Sequence, residues 1–142
     1  MNYYITGIRR GLGQNLWEEY GSVDTLEECD VFINCKHDEF DQVKFLYKAA
    51  ELKKRIINIG SNSPDESKKR PHIYQIQKYA LDKANEQLFY QGVNTTIIRF
   101  GWFDSPRVSH IAAKKMPISY CVSIIKWALS QPHRVKEITV SP

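Results

Sequence analysis

Two tyrosine–lysine pairs stand one helical turn apart in this chain, Tyr74 with Lys78 and Tyr79 with Lys83. A phenol ordinarily ionises near pH 10. It exchanges protons at neutral pH only beside a positive charge, and a lysine four residues along a helix supplies one. Upstream, Ser61 follows an apolar stretch, Arg55 to Ile59. A hydroxyl there can hydrogen-bond a carbonyl or alcohol and orient it. Near the start, Thr6-Gly7-Ile8-Arg9-Arg10-Gly11-Leu12-Gly13 is punctuated by glycine. Glycines in such a loop let backbone N–H groups approach a pyrophosphate with no side chain in the way. Arg10, with Arg9 beside it, offers a guanidinium suited to a further phosphate dianion. A surface tyrosine and lysine one turn apart are common, so the pairs carry weight only together with Ser61.

These residues need elements to hold them. Met1 to Thr6 reads as a buried strand feeding the glycine loop, after which Leu12, Leu16 and Tyr20 recur at helical spacing until Gly21. Val31 to Asn34 is a second buried strand. Phe40 to Lys53 is a helix with Val43, Leu46, Tyr47 and Ala50 on one face, and a third strand follows from Arg55 to Ile59. Pro71 opens the longest helix, which runs to about Gln91 before Gly92. Thr95 to Phe100 is a fourth strand, Gly101 to Ala113 irregular, Pro117 to Leu129 an amphipathic helix and Ile138 to Val140 a closing strand. The alternation predicts an α/β fold, a single Rossmann-like doubly wound parallel sheet of about five strands. Ligands of such sheets bind at the carboxyl ends of the strands, where Gly7, Asn34, Ser61 and Gly101 all fall.

The 142 residues are 42% hydrophobic and 25% charged, which suits one domain over 1–142. The longest apolar candidate, Tyr120 to Leu129, is broken by Ser123 and Lys126 and falls short of the roughly 18 residues of a membrane span, so no membrane partner is expected. MNYYITG lacks the features of a leader. Cys29, Cys35 and Cys121 form no CxxC, and no histidines have ligand spacing. That points to reduced thiols in the cytoplasm and to no metal. The net charge of +4 is dispersed over short basic clusters without interleaved aromatics, which argues against nucleic acid. His37, His72, His110 and His133 read as surface or loop residues. Cys35 is a strand-end thiol, and Trp102 is placed to wall a pocket.

Taken in order, these stretches resemble the short-chain dehydrogenase/reductase family, which combines a TGxxxGxG loop, a serine after a central strand and a YxxxK pair on the next long helix. Thr6 to Gly13 matches the loop and IINIGS the serine strand. Asp30 to Cys35 is similar to the strand ending beside the cofactor ribose, Thr95 to Ser105 to the segment after the long helix, and Lys115 to Pro142 to the closing helix and strand. The resemblance implies an oxidoreductase that moves hydride between NADP(H), with NAD possible, and a small carbonyl or alcohol. It implies Ser61, Tyr74 and Lys78 as catalytic residues. As cofactor contacts it implies Gly7, Arg9, Arg10, Gly11, Leu12, Gly13, Asn34, Lys78, Gly101, Phe103 and Ser105, with Arg9 and Arg10 facing the 2′-phosphate of NADP. It implies a homo-oligomer, dimer or tetramer, and Tyr79, Phe89 and Tyr90 are large groups for such an interface to cover.

Tyr74 is preferred to Tyr79 because 13 residues separate it from Ser61, as in compact relatives, against 18 for Tyr79. Ala80, Leu81, Ala84 and Leu88 also fall at the family's packing offsets after Lys78. The chain departs from the pattern between Tyr20 and Val31, where about ten residues replace a strand-helix-strand excursion. The absent strand is the one that carries the adenosine-ribose residue. Phe100 replaces a proline, Lys36 and His37 replace small residues, and Gln42 to Leu46 hold no counterpart of the family's asparagine. Two other functions stay open: a non-catalytic nucleotide-binding or scaffold protein, and a sugar-nucleotide reductase or epimerase.

Overall fold

Continuous runs of β-branched and aromatic residues suit strands covered on both faces. In the computed structural model, which describes residues 1–142, those runs form β1 (Tyr3–Ile5), β2 (Val31–Asn34), β3 (Arg55–Ser61), β4 (Thr95–Phe100) and β5 (Glu137–Val140). The helices are α1 (Gly11–Tyr20), α2 (Asp41–Glu51), α3 (Ile73–Tyr90) and α4 (Ile118–Ser130). All five strands are parallel and lie in chain order, β1-β2-β3-β4-β5. The register sets Asn34 beside Asn58 and Ser61 beside Phe100, which aligns the strand ends that form the cleft.

The pleat sends alternate side chains to two layers. Ile5, Ile33, Ile57, Ile98 and Phe100 pack with Leu12 and Leu16 of α1 and with Cys121 and Ile125 of α4. On the other face Phe32, Ile56 and Ile97 pack with Leu46 of α2 and with Leu81 and Leu88 of α3. Burying each of these large side chains is worth about 1.5–3 kcal/mol.

Helices on two faces usually go with a strand order that reverses partway, and here it does not. The chain changes face by rounding the edge of β1. After α1, the Val23 N–H donates to Tyr3 O at 2.8 Å and the Ile5 N–H donates to Ser22 Oγ at 3.0 Å. Leu26 and Cys29 then join the layer of α2 and α3. Residues 21–30 thus replace the predicted missing strands and also shield an otherwise open sheet edge. The crossovers through α2 and through α4 step in the same direction over opposite faces, so they have opposite hands, against the usual preference for one. No helix is long and apolar enough to cross a membrane.

Candidate active site

The turn after β1 brings the backbone close to itself. Gly7 has φ +109°, a conformation that L side chains rarely adopt, and a Cβ on Gly13 would stand 2.6 Å from Ile8 O. The loop also presses against the segment after β4, since a Cβ on Gly11 would lie 3.2 Å from Ser105 Cβ. Thr6 Oγ1 accepts the N–H groups of Cys35 and Lys36 at 3.1 and 3.3 Å, which ties the ends of β1 and β2 together. Between these parts lies a cavity of about 390 Å³, lined by Gly7, Arg10, Gly11, Leu12 and Gly13 and by Lys36, Lys78 and Ser105. Free loop amides and Arg10 make this cradle fit a pyrophosphate.

A second cavity, of about 790 Å³, opens over the ends of β3 and β4, with Ser61, Gly101 and Trp102 in its wall. Tyr74, Phe103 and Ser105 line both cavities. Ser61 Oγ accepts the Ser63 N–H at 3.0 Å, which leaves its own proton free to donate. Arg99 reaches Asp65 at 2.8 Å and steadies the loop after Ser61. That pairing holds the Asp65 carboxyl below its usual range.

Lys78 lies on the core-facing stripe of α3 with Leu81, Asn85 and Leu88. Its Nζ donates to Gln42 Oε1 at 2.8 Å and to Ile59 O at 3.2 Å, and stands 5.7 Å from the centre of the Tyr74 ring. Burial pulls the ammonium down to about 8, with Arg107 adding to the effect and Cys35 opposing it. Gln42 is itself fixed, donating Nε2 to Asn34 O at 2.9 Å and to Ile59 O at 3.0 Å. In the sequence, Gln42 to Leu46 offered no counterpart of the family's asparagine, and Gln42 was given no role. Its only signal was a polar side chain on the buried stripe of α2, in line with Leu46 and Ala49.

The rival pair sits elsewhere. Tyr79 is 48% exposed and Lys83 pairs with Glu86 at 3.4 Å on the outer side of α3. Two expected cofactor contacts also lie outside the cleft. Arg9 turns back, its guanidinium 5.3 Å from the Trp17 ring, and does not line the cavity that Arg10 enters. Asn34 is fully buried, and its Nδ2 donates to Gln42 O at 2.8 Å and to Asn58 Oδ1 at 2.9 Å. Its Nδ2 is thus taken up within the core, and its buried Oδ1 has no hydrogen-bond partner. Gly101 lines only the second cavity. His37, expected at the surface, packs edge-on to Tyr74 with ring centres 4.7 Å apart. Burial, then Lys78 and Arg107, lowers its pKa and favours the neutral ring. Burial pushes the Cys35 thiol up to about 11, which disfavours the thiolate at neutral pH.

No protein-family model matches the chain, and no curated protein matches it in sequence. Solved structures match it closely in shape. A short-chain dehydrogenase from Burkholderia cenocepacia in complex with NADP superposes with a TM-score of 0.76 at 16% identity, over 99% of this chain and 87% of that one. An apo SCOR enzyme from Clostridium thermocellum gives 0.71 at 17% identity, over 99% and 90%. A 3-alpha-hydroxysteroid dehydrogenase from a Pseudomonas species, complexed with NADH, gives 0.68 at 12% identity, over 99% and 95%. With its five parallel strands, its glycine loop after β1 and its cleft at the strand ends, the chain has the fold of the short-chain dehydrogenases/reductases.

Proposed function

We propose that this chain is an NADP(H)-dependent oxidoreductase of the short-chain dehydrogenase/reductase type, acting in the cytoplasm on a small carbonyl or alcohol, with residues 1–142 working as one domain. The observation that carries this reading is the position of Tyr74, which lines both cavities with the Lys78 ammonium one turn behind it. A proton donor at the junction of a cofactor cleft and a substrate cavity can serve a carbonyl in one while the redox partner lies in the other. The nicotinamide supplies or accepts the hydride when bound. The loop amides and Arg10 hold the phosphates, and Ser105 and Phe103 form the facing wall. Ser61 donates its O–H to the carbonyl oxygen and orients it. Tyr74 gives its phenolic proton to that oxygen in reduction and removes it from the alcohol in oxidation. Lys78, held by Gln42 and Ile59 O, keeps a positive charge beside the phenol.

Carbonyl reduction by the purified protein, followed as loss of reduced-nicotinamide absorbance with a panel of small ketones and aldehydes, tests the assignment. Tyr74→Phe keeps the ring and removes the proton, so turnover should fall by about 10²–10⁴. Tyr79→Phe should change it little, because five residues along a helix is a turn of about 140°. The opposite pattern would overturn the choice of tyrosine. One observation favours a second reading, a nucleotide-binding protein without turnover: no strand lies beyond β1, where relatives carry the adenosine-ribose residue. NADPH binding with no turnover of any carbonyl would support that alternative.

A further inference from the structure

Resting on the Ser61–Tyr74 site as the place of reaction, we infer that the substrate is a carbonyl compound bearing an anionic group, a carboxylate or a phosphate, held by Arg107 and Lys114. Among its charged side chains the substrate cavity has Lys68, Arg107 and Lys114 and one acidic side chain, Glu66. Glu66 is engaged by Lys68 at 2.7 Å. Arg107 and Lys114 form no ion pair with any carboxylate of the chain. The side chains lining the cavity therefore carry a surplus of two positive charges. Both come from the segment between β4 and α4, whereas Ser61 comes from β3 and Tyr74 from α3. Two free cations thus border the same cavity as the two hydroxyls that would act on the carbonyl. A concave site concentrates such a field, which raises the local concentration of anions and disfavours cationic substrates.

The remaining wall suits the body of a small molecule. Phe100, Trp102, Val108 and Ile111 supply apolar surface in the same cavity wall. The two cations also differ usefully. Arg107 borders the cofactor cleft as well, so it can serve cofactor phosphates, but Lys114 lines the substrate cavity alone. Lys114 is therefore the residue whose loss separates substrate recognition from cofactor binding.

The test compares acetoacetate with methyl acetoacetate, and dihydroxyacetone phosphate with dihydroxyacetone, in the NADPH-loaded protein. Each probe is read twice, as kcat/KM and as equilibrium quenching of tryptophan fluorescence, for which Trp102 is a reporter in the cavity wall. At least one anionic probe should exceed its neutral partner by about tenfold, the scale expected of two solvent-screened cations. The pair with the larger ratio identifies the anion as carboxylate or phosphate. Added salt should shrink the ratio, and Lys114→Gln should move it toward one with no loss of NADPH affinity. Equal or better binding of both neutral probes, a ratio indifferent to salt and to Lys114→Gln, or binding of none of the four would overturn the inference. Anion-selective quenching without turnover would uphold it while contradicting the oxidoreductase reading.

Discussion

Lys78 is a buried ammonium whose two hydrogen bonds both go to fixed acceptors, Gln42 Oε1 and Ile59 O. Its proton is held down to about 8, against 10.5 for an ordinary lysine. Below that point the charge beside Tyr74 is present, and above it the charge is lost. Carbonyl reduction should therefore be level through neutral pH and decline as pH rises through about 8, and Lys78→Met should lack that limb while also binding NADPH more weakly. A kcat/KM profile flat from neutral to strongly alkaline pH would contradict the assignment. Stability runs the other way. Between about 8 and 10.5 the unfolded chain binds more protons at this residue than the folded one, so resistance to urea should increase across that window. Gln42→Leu removes the acceptor and leaves the ammonium short of a partner. It should lower turnover through Lys78 and shift the alkaline limb downward, which a purely structural defect would not do.

At the scale of elements, a polar seam crosses the layer under α2 and α3. Asn58 Nδ2 donates to Asn85 Oδ1 at 3.1 Å and to Thr95 Oγ1 at 3.0 Å, and Asn85 Nδ2 donates to Lys136 O at 3.0 Å. With Asn34 and Gln42 this links β2, β3, β4 and both helices to the Lys78 ammonium, whose Nζ donates to Gln42 Oε1. Asn58→Leu would take one hydrogen bond each from Asn34 Nδ2, Asn85 Oδ1 and Thr95 Oγ1, which keep one other partner apiece, at about 0.5–1.5 kcal/mol each, so urea melts should show a loss of about 2 kcal/mol or more. A near-neutral change would mean that the seam relaxes easily. The strands themselves were legible in the sequence, because Val31–Asn34 and Thr95–Phe100 are short stretches rich in β-branched and aromatic residues between turn signals. The phase of α3 was legible too, since its apolar spacing places Lys78 inward and Tyr79 outward. Asn34 was not, because an asparagine at a strand end reads the same whether it faces a ligand or a neighbouring amide, and Asn58, at the middle of β3, finds its partners only across the sheet and on α3. The passage of residues 21–30 around β1 was equally hidden. Ser22 and Val23 cap the edge through one side-chain oxygen and one backbone N–H, and neither leaves a periodic pattern.

At the scale of the molecule, apolar groups gather on the outer side of α2 and α3. Ile73 is 65% exposed and Ile76 55%, with Tyr79, Phe40 and Tyr47 also open to water. Phe89 contributes less than its sequence promised, because the Arg134 guanidinium stacks on it at 4.2 Å. A patch of this kind on so small a chain is the basis for proposing self-association, and sedimentation at micromolar concentration should give a dimer or tetramer. A monomer would remove that proposal without touching the site. We propose that the glycine loop and Arg10 form an NADP(H) cradle although the sheet stops at β1. Calorimetric titration of NADPH and NADH into the wild-type protein and Arg10→Ala addresses it directly. One saturable site should appear, with NADPH bound about tenfold more tightly than NADH, and Arg10→Ala should lose that advantage with NADH binding nearly unchanged. Binding of neither nucleotide to the wild-type protein would contradict it.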